Sequence, residues 1–297
     1  MITSQKMMVD GLETFCYVDG SGPPLVLLHG MMANSDCWLW TLEALRGDYT
    51  VIAPDLPVHG RTAGLARCAS VDYYVRWLER FTQEMGLARF NLLCHSMGGA
   101  IGAAFTRRYP GQVRRLVLVD ALGMSGAIPW DTVLLLTRRS PFALAMMLTG
   151  KVQPYFSRYV RQRILMHPDG PSGETLAAML KANEASRLRV LLAGTRLLMA
   201  DFLLPRKRQA FAQSLRQITV PTLIAWGRHD GLLPIRHAHA GQTHMPGARL
   251  RIFEASAHMP MLDEPDAFSS TIRRFLNTDD EHGQAAGSLA DTRRSEQ

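Results

Sequence analysis

The chain has 297 residues, of which 47% are hydrophobic and 20% are charged. This composition is typical of a folded globular protein, and it allows either one large domain or a domain with a sizeable insertion. No apolar run reaches the roughly 18 residues of a membrane-spanning helix, so no integral membrane segment is predicted. The N-terminal residues have no basic segment followed by an apolar one, which predicts a cytoplasmic protein without a secretory signal.

The net charge of +7 comes from one segment. Residues 138–216 contain fourteen Lys or Arg and four Asp or Glu, a net charge of +10, so the rest of the chain is slightly acidic. Such an excess can steer an anionic substrate, an acidic acyl-carrier protein or an anionic membrane surface. A solvated basic face without a partner explains it equally well, and no nucleic-acid partner is predicted.

Short apolar runs alternate with helical patterns, which predicts an α/β protein whose mostly parallel sheet carries helices on both faces. In chain order, the predicted strands are two edge strands within residues 7–18, joined at Asp10-Gly11, then 25–28, 49–53, 90–93, 113–119, 221–226 and 250–253. The predicted helices are 35–46, 71–86, 97–109, 234–243 and 263–276. In such folds ligands bind beyond the carboxyl ends of the strands.

The alternation stops between residues 122 and 214, where the pattern is helical and interrupted by turn signals. We therefore predict a core formed by residues 1–121 and 215–277, with an all-helical cap, or lid, at 122–214 inserted after strand 6. Residues 278–297 are polar and have no apolar period, which predicts a disordered tail.

The four cysteines, Cys16, Cys37, Cys68 and Cys94, lie far apart and have no metal-ligand spacing. In a chain without a predicted signal peptide, free buried thiols are expected rather than disulfides. We therefore predict no metal site.

The strongest chemical pattern is Cys94-His95-Ser96-Met97-Gly98, in which an apolar strand runs directly into a serine and then a helix. A serine on such a sharp turn is held in a strained backbone conformation, with its Oγ projecting above the sheet. The turn needs small residues two positions before and after the serine. Gly98 fits, and Cys94 is a mild departure from the usual glycine, so Ser96 is the predicted nucleophile.

Two backbone amides are candidates for stabilising an oxyanion. The Met97 N–H lies at the start of the predicted helix after Ser96, where exposed amides favour negative charge. The second candidate is the Met31 N–H, because Gly30 lets the chain turn sharply after strand 25–28. The alternative is that His29-Gly30 is only a strand-ending turn.

A nucleophilic serine needs a base, and the base needs an acid that orients it. Of ten histidines, His258 follows the last predicted strand and can return to the serine, whereas His29 and His95 are expected to form structural hydrogen bonds. Asp230 is the predicted acid, with Asp120 as its competitor at the end of strand 113–119. The resulting order of nucleophile, acid and base is that of a nucleophile elbow on a hydrolase sheet.

These motifs together resemble the α/β-hydrolase superfamily, specifically its serine esterase/lipase branch with a helical cap. The resemblance covers about residues 8–121 and 215–277 and rests on these motifs: His29-Gly30, Asp55-x-Pro57-x-His59-Gly60, Cys94-His95-Ser96-Met97-Gly98-Gly99, Gly227-Arg228-His229-Asp230 and Ala257-His258. Haloalkane dehalogenases and epoxide hydrolases carry aspartate at the position of Ser96, which disfavours both. Cofactorless oxygenases and haloperoxidase-like members keep the serine triad.

The resemblance implies cleavage of carboxylic esters through an acyl-enzyme intermediate, on a small-molecule acyl substrate and without a cofactor. The basic segment leaves open whether that substrate is anionic or carrier-linked. One alternative is the same triad acting on a C–C bond of a ring-cleavage product, an amide or a lactone. Another is a non-catalytic binding protein on this scaffold. Met32, Leu233 and Met259 are predicted to contact the substrate. The lid methionines are predicted either to form an adaptable apolar pocket wall or to pack lid helices together.

Overall fold

The computed structural model describes residues 2–64, 69–127, 163–183 and 186–278. The strands are β1 Ser4–Val9, β2 Leu12–Asp19, β3 Pro24–Leu28, β4 Thr50–Pro54, β5 Phe90–His95, β6 Val113–Val119, β7 Thr222–Gly227 and β8 Arg249–Phe253. They form one sheet in the order β1-β2-β4-β3-β5-β6-β7-β8. The β1–β2 and β2–β4 pairs are antiparallel, and all other pairs are parallel. The predicted mostly parallel sheet is confirmed.

Helices cover both faces of this sheet. They are α1 Leu39–Leu45, α2 Val71–Glu84, α3 Met97–Arg108, α4 Pro171–Ala182, α5 Arg187–Leu197, α6 Pro205–Ser214, α7 Arg236–His244, α8 Pro260–Asp263 and α9 Pro265–Leu276. Successive strand residues point to opposite sides: Leu92 packs in the core cluster shared with α2, α3 and α7, and Leu93 packs in the cluster shared with α1 and α9. Because both faces are covered, the parallel strands read as continuous apolar runs.

Local signals explain most element boundaries. The β1–β2 hairpin turns at Asp10-Gly11, where both residues have positive φ (49° and 75°). The predicted helix 35–46 begins as a 3₁₀ turn, Ser35–Trp38, before α1. The predicted helix 263–276 corresponds to α9, which begins two residues later. The short helix α8 precedes it, and each of the two has a proline at its first position.

Between β6 and β7, every regular element of the described residues is helical. After α5 the chain continues as a π-helix, Leu198–Phe202, and after α6 as a 3₁₀ turn, Leu215–Gln217. The predicted helical insertion after strand 6 is therefore confirmed. Residues 128–162 and 184–185 of the predicted lid, and the predicted tail from residue 279, lie outside the described residues.

None of the helices described combines the length and apolar character that crossing a bilayer would require. Cys16, Cys37 and Cys94 are buried and free, as predicted, and Cys68 lies outside the described residues.

Candidate active site

Three strand ends meet at one edge of the sheet and bring together three side chains that are distant in sequence. Ser96 follows β5, Asp230 lies in the loop after β7, and His258 lies in the loop after β8. The His258 Nε2 is 3.0 Å from the Ser96 Oγ, and the His258 Nδ1 is 2.7 Å from the Asp230 Oδ2. With the imidazole proton on Nδ1 donated to the carboxylate, Nε2 accepts the serine hydroxyl proton.

Ser96 has the strained backbone that its position between strand and helix predicts. Its φ of 52° and ψ of −116° lie in a region that non-glycine residues rarely adopt. The conformation is held from both sides, because the Ser96 N–H donates to the Val119 carbonyl (2.9 Å) and the Ser96 carbonyl accepts the Leu122 N–H (2.9 Å).

Cys94 stands where this type of turn usually has glycine, and a glycine in the following helix makes room for its side chain. The fully buried Cys94 side chain lies against Gly102 of α3, where an added Cβ would be 2.3 Å from the Cys94 Sγ. Gly102 therefore leaves the room that the larger residue at position 94 needs. The sequence contains this signal as a glycine one helical turn beyond Gly98, on the side facing the strand.

The Asp230 carboxylate is buried and fully hydrogen-bonded. Its Oδ1 accepts the N–H groups of Leu232 (2.7 Å) and Leu233 (2.9 Å), which leaves Oδ2 for His258. These three hydrogen bonds fix the orientation of the carboxylate. Asp230 is thus suited to orient the imidazole and to stabilise its positive charge.

Asp120, the competing acid, lies beside this pair with a different hydrogen-bond environment. Its Oδ1 accepts the Gly227 N–H (3.0 Å), and its Oδ2 is buried with no hydrogen-bond partner among the described residues. Burial, reinforced by the neighbouring Asp230 charge, raises the pKa of Asp120 well above its usual range. Asp120 is therefore the protonated member of the two acids.

Ligand-type atoms of Asp120, Asp230 and His258 lie within 4.8 Å of one another. We interpret this group as the acid–base pair with a third, neutral carboxyl. The 2.7 Å separation of His258 and Asp230 is a direct hydrogen bond, and Asp120 already accepts a backbone N–H. The arrangement is explained without a cation.

The loops that carry the acid and the base touch through their main chains. A Cβ added at Gly227 would lie 1.7 Å from the Ala257 carbonyl oxygen, so only glycine permits this approach. Two residues further on, the His229 N–H donates to the Ser256 carbonyl (2.9 Å). The spacing between Asp230 and His258 is therefore set by backbone contact.

A second histidine holds the backbone of His258. The His95 Nε2–H donates to the His258 carbonyl oxygen over 2.8 Å, and the two rings are 4.7 Å apart. Burial, followed by the proximity of His258, lowers the pKa of His95 well below its usual range, so this ring is neutral. His29 is also buried: its Nδ1–H donates to the Gly30 carbonyl, and its Nε2 accepts the Leu56 N–H. Both histidines form the structural hydrogen bonds expected of them.

The loop after β3 lies directly against the serine. A Cβ added at Gly30 would be 2.9 Å from the Ser96 Cβ, which brings the adjacent Met31 to the same edge as Ser96. Met97 is the first residue of α3, so its amide lies at the positive end of that helix. Among the described hydrogen bonds, none uses the Met31 or Met97 N–H as donor. Both amides are thus available to a ligand at Ser96.

The three predicted substrate contacts occupy different environments. Met32 is half-buried with a φ of 60°, and its carbonyl accepts a hydrogen bond from Asn183, which follows α4. Leu233 is buried beside Asp230, and Met259 is buried in the core cluster on the α1 and α9 face. Substrate contact by Met32, Leu233 and Met259 stays a prediction.

A buried ion pair next to the site was not assigned a role from the sequence. The fully buried Asp55 accepts the Ser35 N–H (2.7 Å) and Oγ–H (2.6 Å) and the Arg61 N–H and Nε–H (both 2.8 Å). Burial raises the pKa of Asp55, but Arg61 outweighs this effect and the net shift is downward. The bonds from Ser35 to Asp55 tie the loop after β3 to the loop after β4, and Arg61 neutralises the buried charge. The motif Asp55-x-Pro57-x-His59-Gly60 marks this loop in the sequence. It does not reveal the partner Ser35, which lies twenty residues before Asp55.

The methionines of the helical insertion differ in burial. Met179 of α4 is buried in the core cluster, Met166 is half-buried, and Met199 in the π-helix is exposed. Met179 therefore packs α4 onto the core. Met146 and Met147 lie outside the described residues.

Comparison with known proteins places this geometry in a family. The family model described as "alpha/beta hydrolase fold" matches residues 23–265. The pimeloyl-[acyl-carrier protein] methyl ester esterase of Vibrio atlanticus is 30% identical, over 88% of this chain and 97% of its own length. Among solved structures, a bacterial membrane phospholipase A is 25% identical with a TM-score of 0.73, over 93% of this chain and 86% of that chain.

The 2-hydroxy-6-oxo-6-phenylhexa-2,4-dienoate hydrolase of Rhodococcus sp. strain RHA1 has a TM-score of 0.76 at 19% identity, over 94% of this chain and 99% of that chain. At that identity the likeness shows the fold alone. The family model, by contrast, matches most of the sequence. The chain belongs to the family of proteins with the α/β-hydrolase fold.

Proposed function

We propose that the chain is a serine hydrolase that cleaves carboxylic esters through an acyl-enzyme intermediate. The single observation that carries this proposal is the hydrogen-bonded series from Ser96 Oγ to His258 Nε2 (3.0 Å) and from His258 Nδ1 to Asp230 Oδ2 (2.7 Å). An activated hydroxyl with a base and an orienting acid is the arrangement that acyl transfer needs. The esterases and lipases among the similar proteins support the same class of reaction.

In the proposed mechanism, His258 Nε2 takes the Ser96 proton while Oγ attacks the acyl carbonyl carbon. The Met31 and Met97 amides stabilise the resulting oxyanion, and His258 then donates its proton to the departing alcohol. Water, deprotonated by the same nitrogen, attacks the acyl-enzyme and releases the acid and Ser96. Loss of one oxyanion donor typically lowers such rates roughly 100–1000-fold.

The nucleophile assignment is tested by Ser96→Ala. Hydrolysis of p-nitrophenyl esters and labelling by a fluorophosphonate probe should both be abolished, because no other hydroxyl adjoins His258 Nε2 in the described hydrogen bonds. Ser270→Ala, a change at an exposed serine of α9, is the matched control and should behave as wild type. Unchanged turnover by Ser96→Ala would remove Ser96 from the mechanism.

A panel of substrates distinguishes ester cleavage from cleavage of another type of bond by the same three residues. Esters, amides, lactones and vinylogous diketones, the last representing C–C cleavage, should be offered to the wild-type enzyme. The proposal expects esters to have the highest kcat/KM. A vinylogous diketone turned over faster than every ester would replace ester cleavage by C–C cleavage.

The proposal extends to an anionic or carrier-linked acyl substrate. It is supported by the net charge of +10 in residues 138–216 and by the carrier-linked ester in the name of the Vibrio relative. We infer that residues 122–214 form a lid over a core made of residues 1–121 and 215–277, so most of this charge belongs to the lid. The cytoplasmic location stays a prediction.

Charge steering is tested by ionic strength. Raising the salt concentration should lower kcat/KM for an anionic acyl ester steeply, while a neutral ester of equal chain length is nearly unaffected, because salt screens long-range attraction. Equal salt dependence for the two esters would contradict steering.

A further inference from the structure

The end of lid helix α4 is joined to two core loops by one buried side chain. Asn183 follows Ala182, the last residue of the helix, and only 4% of its surface is exposed. Its Oδ1 accepts the Gly60 N–H over 2.7 Å, and its Nδ2–H donates to the Met32 carbonyl over 2.8 Å. Each half of the amide thus bonds a different loop, which leaves little rotational freedom to the side chain.

The bonded carbonyl belongs to a strained turn. Gly30, Met31, Met32 and Ala33 form a four-residue turn closed by the Ala33 N–H and the Gly30 carbonyl (3.3 Å). Met32, its third residue, has a φ of 60°, a value that turns normally reserve for Gly or Asn. A non-glycine residue persists there only when its surroundings hold it.

The lid also packs on the side chain of Met31. A Cβ added at Gly194 of α5 would lie 2.4 Å from the Met31 Sδ, so the side chain rests directly on that helix. A third lid contact, from the Asn34 Nδ2–H to the Met179 carbonyl (3.3 Å), follows just beyond the turn. The lid therefore contacts the turn at Met31, at Met32 and immediately after it.

We propose that Asn183 is a positioning residue: its hydrogen bond to the Met32 carbonyl holds the turn that aims the Met31 N–H at the oxyanion. The proposal rests on the ester-hydrolase function proposed above and assigns part of its rate to the lid. Because an oxyanion is present only in the transition state and the tetrahedral intermediate, disturbing the turn should lower kcat more than it raises KM.

The deciding variant is Asn183→Asp, which is nearly isosteric. The carboxylate still accepts the Gly60 N–H, but it presents an oxygen instead of a donor to the Met32 carbonyl. For a short neutral p-nitrophenyl ester, we expect kcat to fall roughly 10–100-fold with KM within about twofold, since one oxyanion donor is misdirected rather than removed. Affinity for a trifluoromethyl ketone, which forms an oxyanion with the serine, should fall by the same factor.

A control variant separates this role from general anchoring of the lid. Asp201 of the π-helix accepts the Val71 N–H over 2.8 Å, so Asp201→Ala removes a lid–core hydrogen bond that does not involve the turn. It should keep the wild-type kcat and ketone affinity. Equal losses in Asp201→Ala and Asn183→Asp would overturn the proposal.

Wild-type kcat and ketone affinity in Asn183→Asp would contradict a role through the turn. Failure of the ester-hydrolase proposal itself is distinguishable, because the wild-type protein would then show neither ester turnover nor fluorophosphonate labelling.

Discussion

Asp120 and Asp230 are two buried carboxyl groups that differ mainly in the number of hydrogen bonds they accept. Asp230 accepts three hydrogen bonds, whereas Asp120 accepts one and has a raised pKa. Asp230, which is hydrogen-bonded to His258, is therefore the acid that orients the imidazole. Asp120, whose pKa is raised, accepts the Gly227 N–H instead.

We therefore expect unequal effects from the two amide variants. Asp230→Asn should lower kcat for p-nitrophenyl esters on the order of 10⁴-fold, as loss of an orienting carboxylate does elsewhere. Asp120→Asn, which replaces a neutral group by a neutral group, should lower it less than about tenfold. The opposite ranking would make Asp120 the orienting acid.

At this scale the sequence predicted much of the site, because nucleophile, acid and base each follow a recognisable strand. It left Asp120 open as the acid, since hydrogen-bond donors from Gly227, Leu232 and Leu233 depend on loop conformation. The support that His95 gives to the His258 backbone was not predictable either. That contact joins residues 163 positions apart in sequence.

At the scale of elements, the loop after β4 contains an ion pair whose carboxylate is fully buried. Arg61 donates to Asp55 from its backbone and its side chain. By contrast, Arg228 and Glu254 form a two-bond pair whose side chains are 43% and 68% exposed. The two arginines thus make similar bonds, one to a buried and one to an exposed carboxylate.

Replacing each arginine by methionine, which keeps most of the aliphatic stem, should separate these environments. Arg61→Met should lower the free energy of unfolding by about 3 kcal/mol, because it leaves the Asp55 charge buried and short of partners. Arg228→Met should leave it nearly unchanged, since exposed pairs contribute little. Urea unfolding measures both, and equal losses would mean that burial of Asp55 is not what makes its pair matter.

Most strand limits could be predicted within two residues, because strands buried on both faces are continuous apolar runs. The exception is β1, whose exposed residues Ser4 to Lys6 lie outside the predicted limits. The short helix α8 was not predicted, because its four residues are too few to show an apolar period. Contacts of the lid with the core, such as Asn183 with Met32, join distant segments and leave no local pattern.

In the whole molecule, one carboxylate links the lid to the loop that carries His258. Asp263 accepts the Ala257 N–H (2.9 Å) through Oδ2 and the Met166 N–H (3.0 Å) through Oδ1. Burial raises the pKa of Asp263 to about 6, which exceeds its usual value because desolvation outweighs these two bonds. Protonation of one side chain thus bears on how the lid and the core are joined.

This shift predicts a pH dependence of stability. Between about pH 4 and pH 6 the folded protein binds this proton and the unfolded chain does not, so the contribution of Asp263 to stability decreases as the pH rises. The melting temperature of wild type minus that of Asp263→Asn should therefore fall across this window and level off above it. A difference that stays constant or rises from pH 4 to pH 6 would contradict the raised pKa.

The absence of a side chain at Gly227 has a consequence for how this site tolerates change. Asp230 and His258 lie in the loops after β7 and β8, and the main chains of these loops touch where Gly227 meets Ala257. A single methyl group at residue 227 would therefore push the two loops apart and lengthen the distance between acid and base, although residue 227 itself takes no part in proton transfer.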